Sequence, residues 1–501
     1  MRIPAGPLGR SAPLAMLALL FALAGCSAIG APEALTTPLA EARRPAGASH
    51  AARSPLDQAL RAIGTPAARA AAQRFEAELN GTSFAGEQAR SPQEAVAAAP
   101  RTYRWRFDAR EGRAIRDAEQ LFPGNVKFST RVALTPQGGW SVDLIKWRTG
   151  TDLDRVDAAE SVRLRSEYER YFPHLLLRQA SEAASLSGID PHRFRYVDPA
   201  GVTVEVTLDP ATGLPARAAQ MRGPDVQSEL AYSRYLRRHG VMLPAQVQFS
   251  AGGRVRESLA LGATRIAPIP AAAFVPPAGY ALPPAVGAPR TVELAPGVFM
   301  FEGMPPFNYH SMAVDQGNRL VLLEAPLSPA YAELQRRLLA ELRPGRKVTH
   351  VLVTHHHGDH IGGLAVWAAA GATIVVAKGA TIAIERQLKA SGFTGKARIE
   401  EVESRLTLGD GPSRIDAYAF ASSHAEAHLL MHLPGPRILF QGDLFYLPER
   451  GPVPVAFDVV EELSERIEGL GLPVTLIVGV HGRPATLAQM HESLARRAAR
   501  R

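Results

Sequence analysis

Four histidines and an aspartate fall within His355-His356-His357-Gly358-Asp359-His360, and ten of the chain's 15 histidines lie between 350 and 491. The run Lys347 to Val353 is short, apolar and β-branched, which predicts a buried strand. A helix is expected from Ile361 to about Gly371, so the histidines sit on a strand-to-helix loop. In an extended segment, residues two apart share a face. His355 and His357 can therefore meet one metal ion while His356 points away, and the turn at Gly358 aims Asp359 and His360 at a neighbouring position. Imidazole and carboxylate without thiolate suit zinc, iron or manganese. The single cysteine among 501 residues, Cys26, excludes a disulfide scaffold, a Cys-ligated zinc finger, an iron-sulfur site and a CxxC redox pair.

The pattern His355-x-His357-x-Asp359-His360 resembles the metal signature of the metallo-β-lactamase superfamily. That family needs a third histidine, a later aspartate and a last histidine. This chain offers Ser422-Ser-His424, then Leu433-Pro434 and Arg437 to Asp443, then Val478-Gly-Val-His481-Gly482. His428 and His432 would misregister the Leu433-Pro434 turn and read as strand residues. The resemblance covers about Val292 to Arg501. It implies an αββα sandwich in which His355, His357 and His424 hold a first metal. Asp359, His360 and His481 would hold a second, and Asp443 would bridge them. Two zinc ions are the expected cofactors, with iron or manganese as alternatives. His350, His356 and His491 are expected to be structural, and His310 and His428 to serve packing near the pocket.

Aspartate at the position of Asp443 belongs, by the same resemblance, to the thioesterase, lactonase and related hydrolase branches rather than to lactamases with serine or cysteine there. The implied enzyme is a metallo-hydrolase in which a metal-bound hydroxide attacks an ester, lactone, thioester or amide of a small molecule. Asp359 would relay a proton to the leaving group, and Tyr446 would hydrogen-bond the developing oxyanion. The substrate loops are expected at Met304 to Ser311 and Tyr446 to Pro454. Two other classes stay open. One is a mononuclear iron dioxygenase acting on persulfides; the other is an envelope lipid- or lipoprotein-binding protein whose metal domain is auxiliary.

The elements that position these residues occupy the C-terminal part, 290–501. Ahead of it, residues 56–285 read as a β-rich α+β domain. Leu56 to Leu79 has apolar residues at helical spacing, and from Tyr103 to about Ala281 alternating strands and turns predict a curved antiparallel sheet packed on helices. Its rhythm resembles the cupped sheets of periplasmic lipoprotein carriers and sorting factors. No clustered histidine or paired carboxylate appears there, and Asp152, Asp154, Asp157 and Glu160 read as a solvated helix face.

At the N-terminus, Arg2 and Arg10 precede an apolar run from Leu14 to Leu23, about half of the ~20 residues that a spanning helix needs, so 1–25 reads as a secretory signal. Leu23-Ala24-Gly25-Cys26 resembles the lipobox of bacterial lipoproteins, which implies a lipidated Cys26 and attachment to the cell envelope. Ser27 after it favours a periplasm-facing site on the outer membrane. Residues 26–55, rich in Ala, Pro, Ser and Arg, read as a flexible tether. The formal charge of +8 is spread thinly, outside a short Arg496, Arg497, Arg500, Arg501 tail, so no nucleic-acid partner is expected.

Overall fold

A computed structural model describes residues 50–285, 287–305 and 309–499, with side chains from residue 55 onward. Cys26, the signal segment and nearly all of the expected tether lie outside the described residues.

The N-terminal region is built on one 13-stranded antiparallel sheet. Strands β1 (Arg74–Gly86), β2 (Val96–Asp108), β3 (Arg113–Phe122), β4 (Val126–Thr135), β5 (Gly138–Asp143) and β6 (Leu153–Val156) follow one another across half of it. The second half is β7 (Leu186–Asp190), β8 (Arg193–Val197), β9 (Thr203–Leu208), β10 (Pro215–Arg222), β11 (Asp225–Arg238), β12 (Val241–Ala251) and β13 (Arg254–Ile266). β1 pairs with β13 and joins the halves. Every other pairing is between chain neighbours, the arrangement that short turns such as Asp209 to Gly213 impose. In that turn Asp209 accepts the backbone N–H of Ala211 and Thr212, and Gly213 takes φ +70°.

The helices His50–Ile63, Ala158–Glu169 and Pro173–Glu182 supply Leu56, Leu164 and Leu175 to a core shared with Phe75, Trp105 and Phe107. Helix does not continue to Leu79 as the apolar spacing predicts. It ends with the short turn Pro66–Ala71, and Phe75, Ala77 and Leu79 alternate inward from β1, which is paired on both sides. A period of two and two hydrogen-bonded neighbours outweigh the helical spacing. The acidic group before Glu160 is corrected too. Asp157 caps the helix by accepting the N–H of Glu160, whereas Asp152 and Asp154 precede it. Asp154 is pushed up to about 6, first by burial and then by Asp152.

The C-terminal part has two sheets. Seven strands run in the order β14 (Arg290–Ala295), β15 (Val298–Glu302), β16 (Met312–Asp315), β17 (Leu320–Leu323), β18 (Val348–Leu352), β19 (Thr373–Ala377) and β20 (Arg398–Val402). Six more follow: β21 (Arg405–Leu408), β22 (Ile415–Phe420), β23 (His428–Leu433), β24 (Ile438–Gln441), β25 (Leu476–Gly479) and β26 (Ala485–Thr486). β17 to β20 are parallel, and the apolar runs of the inner strands β17 and β19 are buried as two-sided burial demands, whereas the edge strand β20 is mostly exposed. One hydrophobic cluster holds residues of both sheets, among them Leu322, Val351, Ile374, Leu429 and Phe440. The expected helix after β18 is two short ones, Gly358–Ile361 and Leu364–Ala369.

The two parts of the chain share a core. Phe122, Val126 and Trp147 cluster with Leu444, Phe445, Tyr446 and Val459. Arg386 binds Glu87 through two nitrogens, and Arg450 pairs with Asp152 at 2.6 Å. At the Pro123–Asn125 turn Gly124 takes φ +81°, and a Cβ there would meet Val459 Cγ1 at 2.5 Å.

Candidate metal centre

The seven donors named from the sequence leave the ends of different elements and converge. His355, His357, Asp359 and His360 come from the loop after β18 and the helix Gly358–Ile361. His424 precedes β23, Asp443 follows β24, and His481 follows β25. Two groups result: His355, His357, His424 and Asp443, and Asp359, His360, Asp443 and His481. Within each group one donor atom per residue lies within 4.8 Å of all the others. Asp443 belongs to both. Its Oδ1 is 3.0 Å from His481 Nε2 and 3.3 Å from His360 Nε2, while its Oδ2 is 3.4 Å from His424 Nε2 and 3.9 Å from His355 Nε2.

His355 Nε2 and His424 Nε2 face each other at 3.3 Å, but several of the other donor atoms pair with nothing. Asp443 Oδ1, His360 Nε2 and His357 Nδ1 are buried without a hydrogen-bond partner despite the short separations. Orphaned buried polar atoms are costly, and several in one pocket fit a cation. The donor set of five imidazoles and two carboxylates fits divalent metal on the same ground. Burial first, and then His360, His357 and His424, hold His355 well below the usual imidazole value. His357 is lowered likewise by burial and His424. Both are thus neutral, as ligation requires. Burial would also lower His360 and His481, but Asp443 and Asp359 outweigh it and raise both. His360 and His481 in turn hold Asp443 well below the carboxylate range against the opposing effect of burial.

The supporting contacts fix the rings. Glu324, wholly buried at the end of β17 and left-handed at φ +78°, accepts from Thr354 N (2.9 Å) and Thr354 Oγ1 (2.7 Å) and meets His360 Nδ1 at 2.7 Å. A carboxylate on the far nitrogen fixes the tautomer and leaves Nε2 for a metal. Asp443 is also left-handed, at φ +61°. A Cβ at the preceding Gly442 would sit 2.2 Å from Thr354 Oγ1, so only glycine lets this backbone approach.

Part of the support comes from the N-terminal region, where the sequence shows no chemistry. The carbonyl of Ala89 meets His357 Nε2 at 3.0 Å and His356 Nε2 at 2.9 Å. That leaves His357 Nδ1 to the first group and turns His356 away. The carbonyl of Pro123 lies 3.2 Å from His424 Nδ1, and Gln88 Nε2 donates to Asp359 Oδ1 at 2.8 Å. Tyr309, within the expected Met304 to Ser311 loop, donates its hydroxyl to Asp359 Oδ2 at 3.2 Å.

Tyr446 stacks on His481 with ring centroids 5.6 Å apart and lines the pocket, which encloses about 530 Å³ of space between atoms, mouth included. Phe122, Val126, Phe128, Trp147 and Arg148 form the opposite wall, so the pocket is not made from the two expected loops alone. His428 stacks on His355 at 5.0 Å and His310 is buried, but neither lines the pocket. His350 and His432 are strand residues and His491 lies on the exposed side of the last helix.

Residues 304–481 match the Metallo-beta-lactamase superfamily, and the C-terminal part of the chain carries a domain of that family. A hydroxyacylglutathione hydrolase of Rhizobium meliloti (strain 1021) is 34% identical over 131 residues, which are 25% of this chain and 47% of that protein. The chain thus spans less than half the length of that relative. Among solved structures, a metallo-beta-lactamase from Hirschia baltica covers 41% of this chain and 95% of its own at 17% identity and a TM-score of 0.31. The mono-zinc form of a metallo-beta-lactamase from Pseudomonas aeruginosa covers 43% of this chain and 98% of its own at 15% identity and a TM-score of 0.34.

Proposed function

We propose that this chain is a metal-dependent hydrolase of a small molecule carrying an ester, lactone, thioester or amide bond. The observation that carries the reading is the pair of donor groups sharing Asp443, one carboxylate oxygen toward each. In this reading His355, His357 and His424 hold one zinc ion, Asp359, His360 and His481 a second, and Asp443 both, in an αββα layering of the two sheets. Such a pair of cations polarises a carbonyl and lowers the pKa of bound water. Thioesters and esters are favoured because the relative that matches at 34% identity is named for hydrolysis of a hydroxyacylglutathione.

The side chains around the donors then have defined work. Gln88 and Tyr309 each donate to Asp359 and fix its orientation, which leaves that carboxylate to pass a proton toward the leaving group. Tyr446 keeps its proton, because burial pushes its hydroxyl up, so it serves as a donor to the developing oxyanion and not as a base. The apolar wall excludes water from the reacting bond and strengthens each of these contacts.

Turnover across a panel of lactones, thioesters, β-lactams and sulfate esters tests the reading. A His357→Ala, Asp359→Ala double variant is expected to lose at least about 100-fold, since even supporting residues of metal sites are worth 10- to 100-fold. Full turnover in that variant would sink the proposal. Oxygen consumption with one iron per chain and no hydrolysis would select the dioxygenase class instead.

We also propose that Cys26 carries lipid that holds the protein on the periplasmic side of the outer membrane, on the strength of Leu23-Ala24-Gly25-Cys26. Among the described residues no helix is long and apolar enough to cross a membrane. A Cys26→Ala variant that stays in the membrane fraction would contradict the anchor.

A further inference from the structure

We infer that the pocket selects a small molecule with an apolar, ring-sized part and a carboxylate, and that Arg148 of the N-terminal region is the specificity-determining contact for that carboxylate. The inference rests on the hydrolase reading only in placing the substrate in this pocket.

Arg148 is presented by a fixed turn. After β5, Asp143 accepts the backbone N–H of Ile145 at 3.0 Å and of Arg148 at 2.8 Å, and Lys146 takes φ +56° between them. The neighbouring Trp147 locks the turn against the metal-bearing part of the chain. Its ring lies 4.8 Å from Tyr446, 4.7 Å from Phe457 and 5.7 Å from Phe128. Arg148 therefore reaches the pocket from a rigid base, with its guanidinium 5.4 Å from the centre of the Phe128 ring.

Unlike the other arginines at this seam, Arg148 has no carboxylate. Arg386 is held by Glu87 and Arg450 by Asp152. Among the described residues no side-chain hydrogen bond or ion pair within 4.0 Å reaches the Arg148 guanidinium. The nearest candidates are otherwise engaged or too far: Asp143 is occupied by backbone N–H groups, and Asp154 feels the positive charge without pairing to it. The half-buried Arg148 guanidinium has the Phe128 ring beside it but no carboxylate, so its donors are left for an anion brought by a ligand. Its planar fork matches a carboxylate in two parallel hydrogen bonds.

The rest of the pocket decides where that anion lies. Among the described residues lining it, Arg148 is the one arginine or lysine, and the floor carries Asp359 and Asp443. Phe122, Val126, Phe128 and Trp147 form an apolar wall beside Arg148. The ligand that satisfies all of these features places a ring against the wall and a carboxylate on Arg148, with its scissile carbonyl toward the histidines.

Calorimetric titration of the metal-loaded protein with 3-phenylpropanoate and with its neutral amide reads this discrimination without turnover. The wild type is expected to prefer the carboxylate by at least about tenfold, as a charge-assisted bidentate pair warrants. The ratio should fall to within about twofold of unity in Arg148→Ala and be partly restored in Arg148→Lys, whose ammonium keeps the charge but loses the fork. Arg148→Gln, close in shape, supplies the same reading if the alanine variant does not fold. A preference that survives both neutral variants would put the carboxylate on the metal centre and overturn the inference, and so would a wild type with no preference. Absence of hydrolysis in the substrate panel would instead sink the hydrolase reading and leave this ratio measurable.

Discussion

The metal-bearing sheets and the 13-stranded sheet differ in how they contribute to one site. The first supplies it through side chains whose chemistry is written in residue type: five histidines and two aspartates at strand ends. The second supplies it mainly through backbone carbonyls of Ala89 and Pro123, one amide side chain, Gln88, and a pocket wall. A metal centre can thus be complete in its ligands within one region while its ring orientations and substrate pocket depend on another. An auxiliary role for either region fits poorly with a core in which Trp147 packs on Tyr446 and Phe457.

Removing support from each side in turn sharpens that contrast. Glu324→Ala leaves His360 Nδ1 without its buried carboxylate and is expected to weaken metal affinity by about 10- to 100-fold in a chelator competition. Gln88→Ala, acting from the other region on Asp359, should weaken it toward the lower end, by about tenfold or less. A Gln88 variant indistinguishable from wild type would break the comparison and return the N-terminal region to a scaffold.

The smallest effect expected lies farther from the site, at Asp154. Its folded value of about 6 stands above the ordinary 3.8, so its contribution to stability is full below 3.8 and is lost as pH rises through about 6. Asp154→Asn should therefore gain on the wild type by about 1–2 kcal/mol between about pH 4 and pH 8 in denaturant unfolding. A constant difference across that range would show that Asp154 is not buried as its neighbours require.

The histidine loop was legible because metal ligation restricts residue types and a strand-to-helix loop restricts their directions. The strands were legible where alternation was strong, as in β2 and β9. β1 was misread because Ala71, Phe75 and Leu79 satisfy a helical spacing as well as an alternating one, and only pairing with β2 and β13 decides between them. Glu324 carried a signal that was missed: a charge directly after Leu320-Val-Leu-Leu323, at the end of a buried parallel strand, needs a buried partner. The carbonyls of Ala89 and Pro123 carried none, since every residue has a carbonyl. Gln88 lies 271 residues from Asp359 in sequence, and the pocket wall belongs to the same distant region, so only the packed chain shows what they do.

Metal content measured on the purified protein and on Asp443→Ala tests the central claim most directly, because this one carboxylate belongs to both donor groups. The account predicts about two divalent ions per wild-type chain and loss of at least one of them in the variant, with hydrolysis lost alongside. A wild-type protein that hydrolyses its substrate without metal, or an Asp443→Ala variant that keeps both ions and full turnover, would contradict it.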